Sequence, residues 1–161
     1  MKLSHFSDEE AITPHAVEQL GRVFTYEKPR GLWLSVDGPD DWPAWNESEQ
    51  FRDTSSQHRH AVTLADDHEV LVLDTVQKVM AFDQVWSRPD EFVGGDIKPL
   101  GTQWRGIDWA AVATEHQGVV IAPYQWSLRM TLSWYYPWDC ASGCVWDPAA
   151  IKEVIMVEET P

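Results

Sequence analysis

Cysteine is scarce in this chain. Cys140 and Cys144, four positions apart, are its only two, and no second pair stands at a spacing that would complete a zinc set. They are expected as reduced, packed thiols of a protein in a reducing compartment. Long hydrophobic runs are missing as well. No stretch approaches the roughly 18 consecutive apolar residues of a membrane span, and the opening MKLSHFSDEE has no apolar segment of the signal-peptide kind. A cytoplasmic location is the expectation. Basic residues are also few, with Lys+Arg 12 against Asp+Glu 26 and a net charge of −14. A surface of that sign repels phosphate over a Debye length of about 10 Å. General nucleic-acid binding and attachment to anionic membranes are thereby disfavoured.

What the chain does contain is tryptophan. There are 10 Trp beside 5 Phe and 4 Tyr, a preference that core filling does not require and that suits flat stacking surfaces. The 161 residues, 43% of them hydrophobic, are enough for one domain with a real core, spanning 1–161. Wholesale disorder is excluded by the same composition.

Periodicity predicts the elements. LSHFS alternates as a strand with Leu3 and His5 on one side. HAVEQLGRVF places Val17, Leu20 and Phe24 at helical spacing. KPRGLWLSV reads as a strand with Leu32 and Leu34 on one face and Trp33 and Ser35 on the other. In DGPDDWPAWNESEQF, Asp41 is a helix N-cap and Pro43 sits in the first turn. HRHAVTL and EVLVLD read as strands, and TVQKVMAFDQVW as a helix using Val76, Val79, Met80 and Trp86. Residues 87–106 read as a long loop. Asp108 caps a helix that ends before Gly118, and the strand VVIA follows. The tail predicts strands over Cys144–Trp146 and Glu153–Val157, with a turn at Pro148. Strands outnumber helices, so the fold class is α+β, a split, mostly antiparallel β-sheet core with peripheral helices.

Polar and aromatic groups occupy strand positions where a core would take aliphatics. His5 lies on the first strand, Trp33 and Ser35 on the second, His58 and His60 on the third, and Asp139 precedes Ser142 and Gly143 ahead of a late strand. In this order LSHFS, RGLWLS and WDCASGCVWD resemble the ADP-ribosyltransferase superfamily, including small phage-encoded transferases that act as anti-CRISPR proteins. The resemblance implies NAD as substrate, an unidentified protein as the target to be modified, and host cytoplasm as the location of a phage product. It implies Asp139, His5 and Ser35 as catalytic residues. It implies His5, Trp33, Arg59, His60, Tyr124 and Trp126 as the NAD-binding set, with no metal.

The chemistry suits these residue types. Cleaving nicotinamide from ribose passes through an oxocarbenium-like state that a carboxylate such as Asp139 stabilises. The cationic nicotinamide ring calls for an aromatic face, offered by Trp33, Tyr124 or Trp126, and gains about 0.5–2 kcal/mol there. His5 can hold a ribose hydroxyl or a phosphate oxygen, and Arg59 or Lys28 can balance the pyrophosphate. Trp42, Trp45 and Trp86 read as helix-face packing, and Trp33, Trp126 and Trp138 as neighbours of the cleft. No Gly-rich dinucleotide fingerprint is present, since VGGDIKPLG follows no strand and opens no helix.

Alternatives stay open. A Cys–His nucleophile could combine Cys140 or Cys144 with His58 or His60. A non-enzymatic acidic interaction protein could mimic nucleic acid or inhibit a partner by occupying its basic groove. A tryptophan-lined carbohydrate module is a third reading.

Overall fold

Two residues on the second strand, Leu34 and Ser35, sit near the centre of the sheet that organises this protein. The computed structural model describes residues 1–53, 57–91 and 104–157. Its strands are β1 (Leu3–Ser7), β2 (Leu32–Val36), β3 (His58–Leu64), β4 (Val70–Leu73), β5 (Ser87–Pro89), β6 (Arg105–Ile107), β7 (Gly118–Ile121), β8 (Ser142–Val145) and β9 (Ile151–Met156). Its helices are α1 (Trp42–Glu49), α2 (Val76–Trp86) and α3 (Trp109–Val112). Seven strands form one sheet in the order β4-β7-β8-β2-β1-β3-β9, and β5 with β6 form a small second sheet. All neighbours in the large sheet are antiparallel except β4 and β7. The class is α+β with peripheral helices, as the alternation predicts.

The parallel pair explains two patterns in the sequence. GVVI is a continuous apolar run because β7 is buried along its whole length and needs no polar side, and VLVL pairs with it with Val70 and Leu73 buried and Leu71 and Val72 partly so. Val119, Val120 and Ile121 have no exposed surface. At the β7–β8 contact Gly143 permits close approach, since an added Cβ would stand 2.6 Å from the Val119 carbonyl oxygen.

Helix starts follow local capping chemistry. The Asp41 side chain accepts from the Ala44 N–H at 3.0 Å, with Pro43 in the first turn. Asp108 accepts from the Ala111 N–H at 3.0 Å and Thr75 from the Lys78 N–H at 3.2 Å. Buried Val79 and Phe82 dock α2 on the core, and partly buried Val76, Met80 and Trp86 flank them.

The expected helix over residues 15–24 is absent. Val17, Leu20 and Phe24 are only partly buried, whereas Gln19, Val23 and Thr25 are buried, and the segment is irregular with a bend at Gly21 and Arg22. A ten-residue segment containing Gly21 is a marginal helix in isolation. Tertiary bonds decide its path. The Val17 N–H donates to the Trp146 carbonyl at 2.9 Å, and the Gln19 amide pairs with both backbone groups of Arg30.

The long loop expected over 87–106 is closed at its base by β5 and β6, where Ser87 faces Ile107 and Pro89 faces Arg105. The Arg105 guanidinium bonds the hydroxyl and carbonyl of Ser87. The glycine cluster VGGDIKPLG lies outside the described residues. The last two strands begin earlier than their sequence pattern predicts, at Ser142 and Ile151.

Four tryptophans fill the core: Trp109, Trp134, Trp138 and Trp146. Three of them bring a satisfied indole N–H, donating to the Glu27 carbonyl, the Asp83 carboxylate and the His116 carbonyl respectively for Trp109, Trp134 and Trp146. Among the described residues no helix is long and apolar enough to cross a membrane.

Candidate active site

Register brings the polar strand residues together. β1 lies between β2 and β3, with Ser4 opposite Ser35 and His5 opposite His60. β8 flanks β2 on its other side. The segment leading into β8 is tied to the end of β2 by the Val36 N–H, which donates to the Ala141 carbonyl at 2.9 Å. Asp139 is thereby carried to the mouth of a cavity of about 350 Å³ lined also by His5, Trp33 and Ser35. Lys28, Cys140 and Ser142, also named from the sequence, share this space with them.

Asp139 lies between two cations. Its Oδ1 is 3.2 Å from Arg129 Nη2 and its Oδ2 is 4.0 Å from Lys28 Nζ. Burial raises its pKa above the ordinary carboxylate value, Lys28 and Arg129 pull it back, and Glu49 adds to the rise. Lys28 shows the converse response: desolvation lowers its pKa and the Asp139 charge opposes the fall. The Lys28 ammonium also stands 5.1 Å from the centre of the Trp33 ring. Trp138 packs on Trp33 from the core with ring centroids 5.1 Å apart.

His5 Nδ1 is 2.7 Å from the Trp33 carbonyl oxygen. Desolvation lowers the His5 pKa, the bond to Trp33 opposes that, and the neighbouring His60 lowers it further. Ser35 is buried, and its hydroxyl oxygen accepts from the Trp42 N–H at 2.9 Å. Ser35 therefore anchors the first turn of α1 and with it the Trp42 side of the cavity.

The other expected ligand-binding residues lie elsewhere. Arg59 pairs with Asp37 at 2.6 Å and donates to Ser4 Oγ at 3.0 Å; neither member of this pair lines the cavity, although Ser4 does. His60 is buried beneath His5, and its Nε2 faces the Glu10 carbonyl oxygen at 3.2 Å. Tyr124 is buried in a stack with Tyr135, and burial pushes its phenol up to about 12. It lines a separate cavity beside Asp37 and Asp40. Trp126 is 58% exposed and donates from Nε1 to Asp40 at 3.2 Å. Trp138, expected beside the cleft, is wholly buried behind Trp33.

Trp42 and Arg52 line the cavity although nothing in the sequence singled them out for a site. Trp42, expected as packing, lines the space and stacks on Trp45 at 5.4 Å. Arg52 lies 5.6 Å from the Trp42 ring, brought there because Gln50 takes a left-handed conformation, φ 49°, and ends α1. Cys140, one of the two thiols weighed in the sequence as a nucleophile, also lines the cavity. Burial pushes its thiol up to about 11, which leaves little thiolate at neutral pH and weakens the Cys–His reading. Among the described residues no three His, Cys, Asp or Glu side chains gather as a metal set.

No family model, curated protein or solved structure matches this chain. The chemistry of the cavity is therefore the guide to what it can do. Its walls combine two indoles, two cations in Lys28 and Arg52, one carboxylate and one imidazole. That set suits a ligand with flat rings, anionic groups and a centre that develops positive charge.

Proposed function

We propose that this protein is an NAD-dependent ADP-ribosyltransferase or NAD glycohydrolase, with a protein as the target in the transferase case. The observation that carries the reading is the convergence of His5, Trp33 and Asp139 from three distant stretches of chain on one cavity. In this reading the nicotinamide ring stacks on Trp33. The His5 imidazole holds a ribose hydroxyl or phosphate oxygen, and Arg52 attends the pyrophosphate. The bond between ribose C1′ and the nicotinamide nitrogen breaks, and its electron pair leaves with the ring. Asp139 stabilises the oxocarbenium ion until a side chain of the target, or water, attacks C1′ and gives up a proton.

Incubation with etheno-NAD tests the proposal. Wild type is expected to release nicotinamide, with or without transfer of the labelled group to protein, and Asp139→Ala to lose that activity. Absence of NAD binding by calorimetry would sink the reading. A partner captured in a salt-sensitive complex that Asp139→Ala leaves intact would instead favour the acidic interaction protein.

A further inference from the structure

The ring of Trp33 is already in contact with a cation. Lys28 Nζ lies 5.1 Å from the ring centre and 4.0 Å from Asp139 Oδ2, and all three residues line the cavity. On the core side the ring is packed by the wholly buried Trp138. The aromatic face and the carboxylate that a flat cationic ligand needs are therefore both engaged by the protein's own ammonium group. Two positive charges at such separations repel in a partly desolvated site, so they cannot share these partners favourably.

We infer that Lys28 is a specificity-determining residue that competes with the cationic ring of the ligand, so that a charged nicotinamide must displace the ammonium from Trp33 and Asp139. This rests on NAD occupying the cavity. A ring without charge meets no such repulsion and need not displace the ammonium, so it gains little when Lys28 is removed. Lys28 thus reduces the preference of the cavity for the oxidised, cationic ring. The lowered pKa of Lys28 is consistent with an ammonium that has lost water and is held charged in part by Asp139. Arg129 keeps its contact with Asp139 Oδ1 at 3.2 Å, so the carboxylate is not left unpaired when Lys28 moves.

Calorimetric titration of wild type, Lys28→Met and Lys28→Gln separates the possibilities. The ligands are a carbocyclic NAD analogue, which keeps the charged nicotinamide but is not cleaved, together with NADH and ADP-ribose. Both variants are expected to bind the charged analogue about three- to tenfold more tightly than wild type, with NADH and ADP-ribose changed by less than about twofold. The same expectation for two variants guards against a folding defect in one. Equal or weaker binding of the charged analogue by both variants, including a parallel loss for all three ligands that would mark Lys28 as a phosphate contact, overturns the inference and leaves the NAD reading standing. If neither wild type nor variants bind any of the three, the NAD reading falls and the inference falls with it.

Discussion

The imidazole of His5 bonds the backbone carbonyl of Trp33 through Nδ1 at 2.7 Å. A carbonyl oxygen can only accept, so Nδ1 carries the hydrogen, and in the neutral ring Nε2 is left as an acceptor. Burial lowers the His5 pKa below its ordinary 6.5. The folded state therefore favours the neutral ring. The stability contributed by this group is present above pH 6.5 and lost as pH falls through the lower folded value. Nitrogen-15 NMR is expected to show a protonated Nδ1 and a bare Nε2 at pH 7, with titration below 6.5. A bare Nδ1, or titration above 6.5, would contradict this arrangement.

The Asp139 carboxyl has a pKa above its ordinary 3.8, chiefly through burial. Its charged form is the one that stabilises an oxocarbenium ion, so the acid limb of nicotinamide release is expected above 3.8. Asp139→Asn keeps the shape without the charge and should lower release by about 100-fold or more. A pH–rate profile on folded protein checks both statements, and an acid limb at or below 3.8 counts against Asp139 as the group.

Gly31 enters β2 with φ of 150°, and an added Cβ would collide with the Val145 carbonyl oxygen. Gly31→Ala should destabilise the fold by about 1–3 kcal/mol or more, read as a lower urea midpoint. The β2–β8 contact that carries Asp139 toward Trp33 is the part of the structure affected.

Cys140 and Cys144 are both buried and free. Burial raises both thiols, Cys140 to about 11. Titration of native protein with a thiol reagent at pH 7.5 should be slow, and denaturant should release two reactive thiols. Rapid labelling of Cys140 in the native state would revive the nucleophile reading.

Arg59 and Asp37 form a partly exposed pair at 2.6 Å outside the cavity lining. Arg59→Ala is expected to cost no more than about 1 kcal/mol in stability and to leave NAD affinity unchanged. A large loss of affinity in calorimetry would return Arg59 to the ligand site.

Legibility in the sequence followed the range of the interactions. The caps at Asp41 and Asp108 could be read because each binds an N–H three residues away. His5, Trp33 and Asp139 could be picked out because polar or aromatic groups in strand-like surroundings are conspicuous. Trp42 was less accessible: its spacing with Trp45 predicts packing, which it does provide, but its place in the cavity depends on the bond between its N–H and Ser35. Tyr124 and Trp126 lie close together in the chain, yet one is buried against Tyr135 and the other exposed beside Asp40.

The sequence by itself determined the α+β class, most strands, the helix starts and the residue types available for chemistry. These follow from alternation, apolar runs and capping over a few neighbouring positions. The tertiary structure decided that residues 15–24 take an irregular, non-helical path, that Arg59 and His60 serve other partners, and that Lys28 covers Trp33. The partners of Arg59 and His60 lie 22 and 50 positions away in the chain, and even the close pair Lys28 and Trp33 meets across an irregular segment, so local periodicity carries no record of any of these contacts.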